Sequence, residues 1–160
     1  MLPDKRDILA QIIIQLQRDL LILEQAVKLA RDTATHADCL GSSKYETMGL
    51  EASYLAQGQG IRLLQVERGL AYFKALSLNP STDVIGLSSL LQLQDEQGQE
   101  QLLWLAAEAG GLKLQCGDDW LTVITPKAPL GAALMGKVAQ DDFEISIAGV
   151  TRSYEITAVY

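Results

Sequence analysis

Leu9, Ile13, Leu16, Leu20, Leu23, Val27, Ala30 and Ala34 recur at alternating spacings of four and three residues. That is the a/d seam of a coiled coil, and a chain that keeps it for more than three heptads must bury one stripe of a long helix against another helix. Pro3 suits the first helical turn, and neither glycine nor proline interrupts the pattern before Gly41, which reads as the left-handed residue that closes the helix. Ser43-Lys44-Tyr45-Glu46 follows at once. In this capping box the Ser43 hydroxyl accepts from the amide of residue 46 and Glu46 reaches back, so a second helix starts there. So short a turn makes the two helices antiparallel. The second helix is expected to run to about Leu76, with Leu55, Leu63, Val66, Leu70 and Phe73 as seam positions. Gly49, Gly58, Gly60 and Gly69 lie inside it. Each costs roughly 1 kcal/mol relative to alanine, and close backbone approach is one reason to keep them. Some 35 residues at 1.5 Å each make an arm about 50 Å long. An arm of that length either dimerises or reaches for something.

Asn79-Pro80-Ser81-Thr82 breaks the helical pattern, and beyond it the period changes. Val84–Gln94, Gln101–Ala107, Gly111–Gln115, Trp120–Thr125, Phe143–Ile147 and Ser153–Tyr160 are short strand-like runs. A single helix is expected around Pro129–Met135, between Pro126 and Gly136. The organisation read from these patterns is a helical hairpin over 1–77, a linker over 78–83 and an α+β domain over 84–160. The charge divides along the same line. Residues 1–77 carry nine basic and nine acidic side chains, whereas 78–160 carry four and eleven, which accounts for the net charge of −7. An acidic half meets a basic protein surface more readily than a phosphate backbone, so neither independent nucleic-acid binding nor a membrane partner is expected. Polar residues from Gln11 to Asp19 interrupt the one apolar N-terminal stretch, and Cys39 and Cys116 make neither a disulfide framework nor a zinc motif. A reducing, cytoplasmic setting is the expectation.

Self-contained catalysis finds little support. His36 is the one histidine, and no nucleophile elbow, P-loop or dinucleotide fingerprint occurs. His36, Asp38 and Cys39 read as polar residues on an exposed last turn rather than as a metal site. Tyr45 and Tyr54 read as packing aromatics, and Asp118-Asp119 and Asp141-Asp142 as turn residues.

The run Ile124-Thr125-Pro126-Lys127-Ala128-Pro129-Leu130-Gly131-Ala132-Ala133-Leu134-Met135-Gly136-Lys137 closely resembles the C-terminal signature of the bacterial Gre transcript-cleavage factors, in which a strand leads into a short helix. The following Asp141-Asp142, Phe143-Glu144-Ile145 and Tyr154-Glu155-Ile156 are similar to that family's acidic turn and closing strands. The resemblance implies an antiparallel coiled-coil hairpin followed by an FKBP-like antiparallel β domain with one short helix. It also implies a partner, RNA polymerase. The C-terminal domain would dock at the secondary channel, with Lys127, Pro129, Leu130, Gly131 and Lys137 as contact candidates, and the hairpin would enter the channel.

At the family's tip, two acids help to hold a magnesium ion and water for hydrolysis of backtracked RNA. Carboxylates on the metal are what such a hydrolysis needs. Laid on this sequence, Asp38 takes the first acid's place, Tyr45 the tyrosine's, and Gly41 the second acid's. Asp38, Gly41, Ser43, Lys44 and Tyr45 are thus the tip residues. Asp38 and Glu46 are the only candidates for a metal-holding role, and Glu46 already has one as a cap. The expectation is a polymerase-binding elongation regulator that is no enzyme itself and does not strongly stimulate cleavage. It needs no cofactor beyond the polymerase's own magnesium. Two alternatives stand beside it: a working cleavage factor with a rearranged tip, and an interaction module for another partner. Homo-oligomers are compatible with all three.

Overall fold

The computed structural model describes residues 2–39, 43–80 and 82–160, with the side chains of 36–39, 43–46 and 48 outside that description. The elements are α1 (Lys5–Cys39), α2 (Ser43–Ala75), β1 (Leu90–Asp95), β2 (Glu100–Leu105), β3 (Lys113–Cys116), β4 (Asp119–Ile124), α3 (Pro129–Leu134), β5 (Asp142–Ile147) and β6 (Val150–Val159). The architecture is therefore N-terminal helices followed by a six-stranded sheet with one short helix. By packing, the molecule forms two units that cut across the helices. One joins Met1–Ile12 to Tyr72–Tyr160, and the other is Ile13–Ala71.

At the start of α1 the Asp4 carboxylate accepts from the Arg6 amide at 3.1 Å, so Asp4 is the N-cap. Pro3 stands outside the helix instead of in its first turn, because the cap already supplies the acceptor that starts the helix. Along α1 the expected seam is buried or half-buried at every position. On α2, Leu63, Val66, Leu70 and Phe73 lie inward as expected, but Leu55 is 57% exposed. Its place is taken by Ala56. The inward set is Gly49, Ala52, Ala56, Gln59, Leu63, Val66, Leu70 and Phe73, an unbroken three-four repeat whose first half is too small and polar to stand out by hydrophobicity. Gly58 and Gly60 correct a second expectation. A Cβ on either would meet nothing within 4 Å, so no close backbone approach inside the chain explains them.

In the first unit the strands lie in the order β3-β4-β2-β1-β6-β5. All neighbours are antiparallel except β2 and β4, which run parallel from Leu102↔Leu121 to Leu105↔Ile124. The sheet is thus mixed rather than purely antiparallel, because the connection from Ala106 through β3 brings β4 back in the same direction as β2. The expected first strand is also shorter. Ser88 adopts a left-handed φ of 73°, and this turn leaves only Leu90–Asp95 in the sheet, with Val84 held by a lone bridge to Val138.

Strand alternation gives the sheet two apolar faces. On one, Leu91, Leu93, Leu103, Leu105, Tyr154 and Ile156 form a core with Ile85 and with Leu134 of α3. On the other, Trp104 is fully buried, with the Phe73 ring at 6.5 Å and the Lys5 ammonium 5.4 Å from its ring centre. Ile8 and Ile12 are fully buried in this same unit. They lie on a second stripe that the a/d count leaves out. Covering both faces lets a strand carry a continuous apolar run, as β2 does over Leu102–Leu105.

Candidate functional site

The segment that bears the family signature is built by its own backbone. Pro129 occupies the first helical position of α3 after Ala128, where a missing N–H costs nothing. Gly131 is buried, and a Cβ there would run into the carbonyl of Thr125. Only glycine fits. The helix ends at Gly136, whose φ of 81° is the left-handed conformation that glycine adopts freely. Its amide donates to the Ile85 carbonyl at 2.9 Å, and the Ile85 amide donates to the Lys137 carbonyl at 2.8 Å. These bonds hold the end of α3 against the segment that leads into β1.

This geometry sorts the contact candidates. Lys127 and Pro129 are exposed. Leu130 is half-buried and packs against the core, and Gly131 offers no surface at all. Both are packing residues, because the face of α3 that carries them is the one turned to the sheet. Lys137 is half-buried with its ammonium 5.6 Å from the Phe143 ring centre, a cation–π distance. Sequence reasoning missed the exposed apolar group nearby. Met135 and Val138 close the α3 segment, and Val84 joins them through its bridge to Val138; these three are 37–51% exposed. The hint was Met135-Gly136-Lys137-Val138 itself, where apolar residues flank a helix-ending glycine.

The β1–β6–β5 end of the sheet forms an open groove of about 530 Å³. Its lining includes Asp95, Glu96, Asp142, Glu144 and Glu155 together with Phe143 and Tyr154, whose rings stack 5.6 Å apart. Asp142 stands directly opposite Glu155 in the β5–β6 ladder, a like-charge pairing that weakens a sheet. Three of the acids have local work, since Glu96 accepts from the Ser153 amide at 2.9 Å, Asp95 accepts from the amides of Gln97 and Gln99, and Glu144 accepts from the Ser153 hydroxyl at 3.3 Å. Asp141 accepts from the Val138 amide at 2.9 Å, so it is a turn residue as read from the sequence. A groove with this charge suits a basic surface.

No family model matches the chain. It is 25% identical over 136 residues to the transcription elongation factor GreA of Rhodospirillum rubrum, a match covering 84% of this chain and 79% of the relative. The chain is Gre-like. Among solved structures it is similar to GreA factor homolog 1 (Gfh1) of Thermus thermophilus, with 23% identity, 92% and 94% of the two chains covered and a TM-score of 0.39. Gfh1 of Thermus aquaticus gives 21% identity, coverage of 94% and 92%, and a TM-score of 0.38.

The remaining site residues read from the sequence fall within positions 36–46. Gly41 lies outside the described residues, as do the side chains of His36, Asp38, Cys39, Ser43, Lys44, Tyr45 and Glu46, and with them the capping box and the helix-closing glycine. Among the described residues, no group of three or more His, Cys, Asp or Glu side chains could hold a metal ion, and no helix is long and apolar enough to cross a membrane.

Proposed function

We propose that this Gre-like chain is a transcription elongation regulator that binds RNA polymerase in the cytoplasm. Its sheet domain docks at the secondary channel, its hairpin enters the channel, and it does not strongly stimulate RNA cleavage. The likeness to GreA carries the reading, because 84% of the chain is more than either packing unit alone supplies. The exposed end of α3 supports it with apolar Met135 and Val138, and the β1–β6–β5 end of the sheet with a carboxylate-lined groove suited to a basic partner. The second half of the reading rests on the sequence. Glycine stands at 41 where the family has its second acid, and one carboxylate binds Mg²⁺ weakly without other ligands.

Two measurements test the halves separately. The protein should co-purify with core RNA polymerase, and Met135→Glu should lose that association while its melting temperature stays put, since Met135 is 42% exposed. On a backtracked complex, the wild type should release no more RNA fragment than polymerase alone. Robust cleavage that Asp38→Ala or Glu46→Ala abolishes would replace this reading with a working cleavage factor. Failure to bind polymerase would leave an interaction module for another partner.

A further inference from the structure

Four observations meet at one level of α2. Gly58 and Gly60 lie in the helix interior, where each weakens the helix relative to alanine. A Cβ on either would meet nothing within 4 Å, so no close packing inside the chain asks for glycine at either place. Between them Gln59 holds a seam position with a buried side-chain oxygen that has no hydrogen-bond partner. Alongside runs an open groove of about 950 Å³, whose lining includes Ala34 of α1 and Ala56 and Gly60 of α2. The seam also changes material here. Leu63, Val66 and Leu70 lie inward after the glycines, but only Gly49, Ala52 and Ala56 do so before them.

We infer that Gln57–Gly60 is a joint built into α2, at which residues 49–56 come away from α1 as one local unit while 63–70 stay packed. Length and burial both lead there. Cut at Gly58, the stretch of α2 that begins at Ser43 is about 15 residues long, a length at which an isolated helix is marginal in water. It stays helical only while packed. What it packs with is alanine and glycine, so releasing it exposes little apolar area. Release also gives the Gln59 oxygen a water partner that the closed seam denies it. The C-terminal part of α2 has no such exit, because Leu63, Val66 and Leu70 would each enter water. Local opening of this kind is drawn from the least buried part of a fold. A surface that packs against 49–56 therefore orders that stretch without disturbing 63–70, and the joint sets where its influence stops.

Native-state hydrogen exchange of the full chain, corrected for intrinsic rates, tests this. In the wild type the amides of 49–56 should exchange as one group, roughly 100-fold or more faster than those of 63–70. Gly58→Ala with Gly60→Ala should slow the 49–56 group by roughly 15- to 30-fold, the summed propensity gain of two such exchanges. Glu67→Gly places the opposite exchange at an exposed position beyond the joint. It should lower the denaturant midpoint of the whole chain yet leave exchange of 49–56 at the wild-type rate. Equal protection of 49–56 and 63–70 in the wild type overturns the inference, and so does a double alanine variant whose 49–56 group exchanges as before. Faster exchange of 49–56 in Glu67→Gly would show that opening runs past Gly60, which removes the joint. Each readout uses the isolated protein, so polymerase binding can fail or succeed independently.

Discussion

The two ends of the helical pair obey one heptad rule with different materials. In the sheet unit, Phe73 of α2 and Ile8 and Ile12 of α1 are fully buried, and the C-terminal half of α2 brings Leu63, Val66 and Leu70 inward. Toward the turn the inward residues are Val27, Ala30 and Ala34 on α1, and Gly49, Ala52, Ala56 and Gln59 on α2. Spacing sets which residues face inward, but side-chain volume sets how much that burial stabilises, at about 25 cal/mol per Å² of apolar area. The sheet-side end is therefore anchored by its core. The far end keeps its register with far less burial, and its stability depends more on helix propensity.

Truncation at the anchored end should have the largest effect. Phe73 is fully buried, in T-shaped contact with Tyr72 at 5.1 Å and facing Trp104 at 6.5 Å. Phe73→Ala should destabilise the protein by about 3–5 kcal/mol, measured by urea titration. An effect as small as about 1 kcal/mol would mean that the two ends do not differ in anchoring. Gly131→Ala follows. Its Cβ would meet backbone at Thr125, which cannot move aside as a side chain could, so α3 must shift at an overpacking cost of about 1–3 kcal/mol. The same exchange at Gly58, with open space around it, is the contrasting control and should not destabilise the monomer.

How much of this was readable beforehand follows the same volume argument. The α1 seam was visible because leucine and isoleucine mark it, whereas the first half of the α2 seam is glycine, alanine and glutamine, which no hydrophobic count selects. Leu55 stands out by its size, yet Ala56 is the residue that faces inward. Most strands were legible from their apolar runs, and α3 from Pro129 and Gly136. The parallel β2–β4 pair was not, since strand direction depends on a connection rather than on composition. The acidic groove was hidden for a similar reason. Asp95 and Glu96 are 46 residues or more from Asp142, Glu144 and Glu155 in sequence, and pairing of β1 with β6 brings them together.

The weaker far end can be strengthened, which sharpens the comparison from the other side. Gln59 sits at a seam position with a buried side-chain oxygen that has no hydrogen-bond partner. A buried acceptor left unpaired costs about 1–3 kcal/mol. Gln59→Leu removes that cost and adds apolar volume, so it should stabilise the protein by about 1–2 kcal/mol, within that same range. Thermal melts of the two proteins check this. A loss of stability would show that the oxygen is satisfied by water in the groove and that the seam there is wet.

The smallest expected effect lies at the sheet-side end and reads out burial by pH. Lys5 donates to the Tyr160 carbonyl at 3.3 Å and stands over the Trp104 ring, yet burial pushes its ammonium below its usual value of 10.5. The folded state therefore releases the proton at a lower pH than the unfolded state does. Between the two values the unfolded chain binds more protons, so stability rises with pH in that alkaline window and levels off above 10.5. Lys5→Met keeps the aliphatic contact with Trp104 and has nothing to titrate. Urea titrations of both proteins at neutral pH and in the alkaline window should show the gap between them shifting toward wild type as pH rises. A constant gap would mean that the contacts with Trp104 and Tyr160 fully offset the desolvation of the ammonium, leaving Lys5 titrating as it does in water.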